Sequence, residues 1–214
     1  MNLELRQGWI DPEVAEEFPD LELVQVTVPV GTGPSAPEIK ERLRYLSRRM
    51  AGAEAVAFRT RPIPQAYRVL FRHLGMDPDE QRPPAEAVIV ERLIKGEYRA
   101  DNLLDDAITI AVAETGVPVW GLDEDKLTGL LGLRPAAGRE TIGTDEYANE
   151  VPSGRLVIAD EAGTVGVLFG LLATSHLVTK DTTSTRLFAL RAPTVPSIHL
   201  EEAMHICVEC LTLR

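Results

Sequence analysis

The feature that most restricts what this chain can fold into is a change of hydrophobic period at Gly116. Before it, apolar residues recur every three or four positions: Ile39, Leu43, Leu46 and Met50, then Tyr67, Leu70, Phe71 and Leu74, then Val88, Ile89 and Leu93. That spacing stacks side chains on one face of a 3.6-residue helix. Gly75 with Asp77-Pro78 ends the second helix, Arg82-Pro83-Pro84 opens the third, which runs to Gly96, and Asp101 reads as the N-cap of a further one. There Leu103, Leu104, Ala107, Ile108, Ala111 and Val112 cover nearly every side, so this helix is expected at the centre of the fold. Beyond Gly116 the apolar residues come as short runs, at 117–122, 130–134, 156–160, 164–172 and 185–192, separated by Gly, Pro and Asp. Such runs are strands.

Two further segments complete the outline. Val24, Val26, Val28 and Val30 alternate with smaller or polar neighbours, a period-two strand, so residues 1–36 are expected to form an N-terminal strand and loop. Leu200, Met204, Cys207 and Leu211 restore helical spacing, placing a C-terminal helix over 197–213. Helices followed by strands predict an α+β (mixed α/β) fold, a single domain over 1–214 whose helical first half packs on a mainly antiparallel sheet.

Composition narrows the partners. The chain has a net charge of −11, which repels phosphate backbones and makes DNA an unexpected ligand. The sign inverts between Glu38 and Arg72, where nine basic residues stand against three acidic ones. Lys40, Arg44, Arg48 and Arg49 in this segment, with Lys180 further on, are the candidates for contact with RNA, although charged helix faces are more often simply solvated. Met1 to Asp20 lack the basic and apolar regions of a secretory signal, and no apolar run approaches the roughly 20 residues that span a bilayer. A cytoplasmic protein away from membranes is expected, with Cys207 and Cys210 as reduced thiols.

Motifs that announce a reaction are missing. No Gly-x4-Gly-Lys-Ser/Thr loop is present to hold phosphates, and Pro152-Ser153-Gly154 lacks the first glycine of a nucleophile elbow. His205, Cys207 and Cys210 resemble a ligand set, yet no second ligand pair has matching spacing, so no metal and no cofactor are expected. Asp106, Asp123, Arg134, Asp160, Lys180 and Thr182 lie at the ends of apolar elements, where a scaffold can present side chains to a pocket or cap its own turns.

The order of these pieces is familiar. Tyr67-Arg68-Val69-Leu70-Phe71-Arg72-His73-Leu74-Gly75-Met76-Asp77-Pro78, then Arg82-Pro83-Pro84-Ala85-Glu86, Leu93-Ile94-Lys95-Gly96 and Asn102-Leu103-Leu104-Asp105-Asp106 lead into Gly116-Val117-Pro118-Val119-Trp120-Gly121-Leu122-Asp123-Glu124-Asp125-Lys126-Leu127. Arg134, Gly138, Gly154-Arg155-Leu156-Val157-Ile158-Ala159-Asp160 and Thr179-Lys180-Asp181-Thr182-Thr183-Ser184-Thr185 follow. The set resembles the B3/B4 domain of the phenylalanyl-tRNA synthetase beta subunit, especially its free-standing relatives, across about residues 38–192. The resemblance implies a mixed α/β domain of translation with an editing pocket that hydrolyses an aminoacyl-tRNA ester, by positioning water and ester rather than by a triad.

Carried over residue by residue, the implied pocket includes Asp106, Thr109, Trp120, Asp123, Arg134 and Leu190. Three of these depart from the family pattern: its pocket histidine falls on Trp120, its asparagine after the core aspartate on Thr109, and the glutamate that recognises a tyrosine hydroxyl near Leu190. A phenolic hydroxyl buried without that acceptor would cost about 1–3 kcal/mol, which points to a less polar or different ligand. Two readings follow: a domain that binds aminoacyl-tRNA or an amino acid and hydrolyses mischarged tRNA in trans, or a non-catalytic RNA- or small-molecule-binding module that kept the fold. A third, small-molecule chemistry on Asp106, Asp123 or His176, has no motif behind it.

Overall fold

The computed structural model describes residues 4–143 and 149–213. In chain order the elements are β1 (Arg6–Gln7), β2 (Trp9–Ile10), α1 (Pro12–Glu17), β3 (Glu22–Val28), α2 (Pro37–Arg49), α3 (Ala53–Phe58), α4 (Pro62–His73), α5 (Pro84–Lys95) and α6 (Leu103–Thr115). There follow β4 (Val119–Asp123), β5 (Gly132–Pro135), β6 (Glu140–Ile142), β7 (Asn149–Val151), β8 (Leu156–Ala159), β9 (Thr164–Val167), β10 (Thr185–Arg191) and α7 (Ser197–Thr212). The fold is mixed α/β, with the helices α2 to α6 inserted between β3 and β4 and the sheets mainly antiparallel. No helix among the described residues is long and apolar enough to cross a membrane.

Local chemistry explains most boundaries. Pro37, Pro62 and Pro84 occupy the first turns of α2, α4 and α5, where a missing N–H costs no helical bond. Gly96 and Gly116, with φ of +82° and +79°, close α5 and α6 in the left-handed conformation that glycine enters without steric cost. The N-cap of α6 is Asn102 and not Asp101: the Asn102 side chain accepts the Asp105 N–H at 3.0 Å, while the Asp101 N–H donates to the Asp106 carboxylate at 3.0 Å. A run read as strand over 164–172 stops at Val167, because Phe169 adopts φ +57° and the Gly170 N–H bonds back to the Val167 carbonyl. Leu172 returns only as an isolated bridge to Gly166. β1, β2, α1, α3, β6 and β7 had no counterpart in the sequence reading; most are too short to show a period.

The chain divides into two compact units, Met1–Gly31 with Gly121–Phe188, and Thr32–Trp120 with Ala189–Arg214, so two of the three divisions fall inside β4 and β10. In the first unit the sheet order is β2-β5-β8-β9, with β2 parallel to β5 and the other pairs antiparallel. Gly132 is required there because a Cβ would fall 2.0 Å from the Trp9 ring. β6 and β7 pair separately and bury Ile142 and Val151 with Ala136, Val157 and Ala173. β1 lies antiparallel to β3, in the sheet ordered β1-β3-β10-β4.

The second unit is helical. α6 packs chiefly on α7, where Ala107, Ile110, Ala111 and Ala113 are buried, as are Leu200, Ala203, Met204, Cys207 and Leu211. Cys207 and Cys210 are free and buried, and burial pushes the Cys210 thiol up to about 11. Met50, Ala55, Phe58, Ala85, Ile89 and Val112 form a further cluster of this unit.

Candidate functional site

In the first unit Asp123, 6% exposed, ends β4 with both carboxylate oxygens engaged. One accepts the Asp125 N–H at 3.1 Å and caps the 3-10 turn Glu124–Lys126; the other accepts the Thr182 hydroxyl at 2.7 Å. Thr182 in turn accepts the Thr179 N–H at 2.9 Å, which closes the turn that carries exposed Lys180. Gly31 lies against the same turn, where a Cβ would come 1.9 Å from the Thr182 carbonyl oxygen. Beside it, buried Arg186 grips Glu124, at 2.6 and 2.5 Å, and the Gln25 side-chain oxygen at 2.6 Å. The Asp123 carboxylate thus anchors the turn that carries Lys180.

Arg134 stands elsewhere in this unit, on β5. Its guanidinium donates to both Glu140 oxygens, at 2.7 and 3.0 Å, to the Thr164 hydroxyl at 2.9 Å and to the Pro135 carbonyl at 3.0 Å. This fork holds the Glu140 carboxyl down to about 2, with the Thr164 hydroxyl and the Ala137 N–H adding to the effect. Arg134 therefore clamps β5, β6 and β9.

In the second unit Asp106, 2% exposed, accepts the Ser35 hydroxyl at 2.5 Å and the Asp101 N–H at 3.0 Å. With the Thr32 hydroxyl on Asn102 at 2.9 Å and the Leu103 N–H on the Gly33 carbonyl at 2.7 Å, the first turn of α6 fixes the segment from Thr32 to Ser35. Thr109 is half-buried three residues on, on the same helix face as Asp106, and Trp120 is half-buried on β4. Leu190 is fully buried, and its carbonyl accepts the Tyr67 hydroxyl at 2.6 Å; burial raises the Tyr67 pKa. Lys40, Arg44, Arg48 and Arg49 are exposed on α2.

One constellation escaped the sequence reading. Arg68, 6% exposed on α4, donates to both oxygens of buried Glu86, at 3.2 and 2.9 Å, and to Asp79 at 2.6 Å. This hydrogen bond lowers the Asp79 pKa. The two carboxylates of this network, Asp79 and Glu86, line a cleft of about 250 Å³ together with Phe58, Arg59, Arg82 and Ile89 among others, and none of the implied pocket residues lies in it. The available signal was the place of Arg68, between the apolar residues Tyr67 and Val69 and one turn from Pro64 and Phe71. Among the described residues no group of three His, Cys, Asp or Glu could hold a metal ion.

The family model of the B3/4 domain matches residues 66–201, more than half of the chain. Among characterised proteins, the phenylalanine–tRNA ligase beta subunit of Mycoplasma pneumoniae is 32% identical over 97 residues, that of Cutibacterium acnes 28% over 102, and that of Streptomyces avermitilis 30% over 112. These alignments cover 45%, 47% and 52% of this chain but only 12%, 12% and 13% of the relatives. The similarity is thus to one small portion of each ligase subunit.

Proposed function

Because this chain belongs to the B3/4 domain family, we propose that it binds an aminoacyl-tRNA through its amino-acid moiety and hydrolyses mischarged tRNA in trans. The family match over residues 66–201, together with similarity confined to a small part of the tRNA ligase beta subunits, carries this reading. In the reaction water adds to the ester carbonyl carbon, the bond from that carbon to the terminal ribose oxygen breaks, and the amino acid and the free ribose hydroxyl leave. Holding water and ester in register can supply most of such an acceleration, so no side-chain nucleophile is needed.

Thr109 and Trp120, both half-buried, are the residues we assign to the amino-acid side chain, with fully buried Leu190 offering no side-chain acceptor. With an aliphatic and an indole group in place of carboxylate and imidazole, the pocket suits a ligand less polar than tyrosine. The second reading, a binding module without hydrolysis, is favoured by one observation: Asp106, Asp123 and Arg134 each spend their polar atoms on hydrogen bonds inside the protein. They hold loops and strands and are not assigned to catalysis.

Deacylation of a panel of purified aminoacyl-tRNAs separates the two. Release of one amino acid, lost in Trp120→Ala and reduced in Thr109→Ala, is the expected result. No release from any of them, with aminoacyl-tRNA still bound, would leave the binding module.

A further inference from the structure

α2 presents Lys40, Arg44, Arg48 and Arg49 to solvent beside Tyr45, which is 55% exposed. Lys40, Arg44 and Arg48 follow one another at four-residue steps, a ridge about 12 Å long at the helical rise, with Tyr45 and Arg49 in the adjacent row. Arg42, the fifth basic residue of this helix, is turned away onto Glu114 at 2.8 and 2.6 Å. Ile39, Leu43 and Leu46 are all buried, so the outer face holds the cations, Tyr45 and the carboxylates Glu38 and Glu41.

The row of Lys40, Arg44 and Arg48 works against its own helix. Like charges four residues apart repel, and a carboxylate at either position would stabilise instead. Arg48 and Arg49 lie in the last turn, where the helix dipole favours cations, and Arg44 has Glu41 one turn before it, but Lys40, in the first turn, has neither advantage. An excess of cations here, on a chain of net charge −11, is complementary to an anionic partner.

We propose that the outer face of α2 holds an unpaired RNA strand, with phosphates along Lys40, Arg44 and Arg48 and one base stacked on Tyr45. The inference rests on the RNA reading above, yet α2 lies outside residues 66–201, so it does not follow from the family match. An exposed phenol ring suits an unpaired base, whose face is open; in a duplex the base faces are covered by their neighbours. A membrane surface is disfavoured because every aliphatic residue named on α2 points inward and none could enter the lipid.

Fluorescence anisotropy with a labelled unstructured RNA, and a duplex of equal length in parallel, tests the contact. The single strand is expected to bind more tightly. Tyr45→Ala should weaken it at least about fivefold while Tyr45→Trp retains it. Arg44→Ala should weaken binding and reduce the slope of log K against log salt by about 0.7. Circular dichroism checks that each variant is folded. Unchanged affinity in Tyr45→Ala, or equal binding to the duplex, overturns the inference. Deacylation by the same proteins separates the two ideas. Deacylation with no effect of Tyr45 on RNA affinity sinks the α2 contact alone, whereas Tyr45-dependent binding without deacylation keeps the contact and removes the hydrolytic reading. Absence of RNA binding removes the α2 contact and leaves the hydrolytic reading to the deacylation result.

Discussion

Arg68 is the residue whose loss should matter most. Removing one partner of a buried ion pair leaves an uncompensated charge, which costs about 3–5 kcal/mol, and Glu86 has only 9% of its side chain exposed. Arg68→Ala is therefore expected to lower the urea midpoint sharply. Arg68→Met combined with Glu86→Leu should recover much of the loss, because no buried carboxylate remains. Glu140 acts in a pH-dependent way. Its folded pKa, about 2, lies below the ordinary value of 4.5, so the stability it contributes is fully present above about 4.5 and is lost as pH falls toward 2. Acid titration of Glu140→Gln should accordingly show a stability deficit that shrinks across that window; a constant deficit would mean the Arg134 fork contributes through packing instead. At this scale sequence reasoning picked out Asp106, Asp123 and Arg134 as polar residues at element ends, where ligand contact and self-capping look alike. Only their partners, Ser35, Thr182 and Glu140, distinguish the two, and those lie 71, 59 and 6 residues away.

Among elements, α6 carries the sharpest comparison. Asn102→Ala removes the side-chain cap of a buried helix and should cost about 1 kcal/mol, while Asp101→Ala, which leaves its backbone N–H on Asp106, should cost clearly less. Thermal melts of the two variants distinguish the two cap assignments, and a larger effect at Asp101 would reverse the one given above. Helices α2, α4, α5 and α6 were legible because each has at least twelve residues, a proline, asparagine or glycine boundary and a repeating apolar face. β1 and β2 have two residues each, and β6 and β7 three, too few for any period to appear. What makes them strands is the neighbour each one pairs with.

Over the whole molecule, each compact unit is built from separated segments of chain, because the unit boundaries cut β4 and β10. The fragment of residues 32–120 keeps α2 to α6 but lacks α7, against which α6 buries its small apolar face. It is expected to lose near-ultraviolet dichroism and to bind a hydrophobic dye, and adding back residues 189–214 on a linker should restore order; a native-like spectrum from the fragment alone would show that α7 is dispensable. The sequence by itself determined the mixed α/β class, the long helices and most strands, since period and punctuation are local properties of the chain. It also carried the B3/B4 resemblance, through an order of motifs that survives in one dimension. Tertiary structure alone decided which polar residues are spent on holding the protein together, which cation of α2 turns inward to Glu114, and which short segments become strands. Those outcomes depend on partners brought close only by folding, because a hydrogen bond or ion pair is set by distance in space and not by separation along the chain.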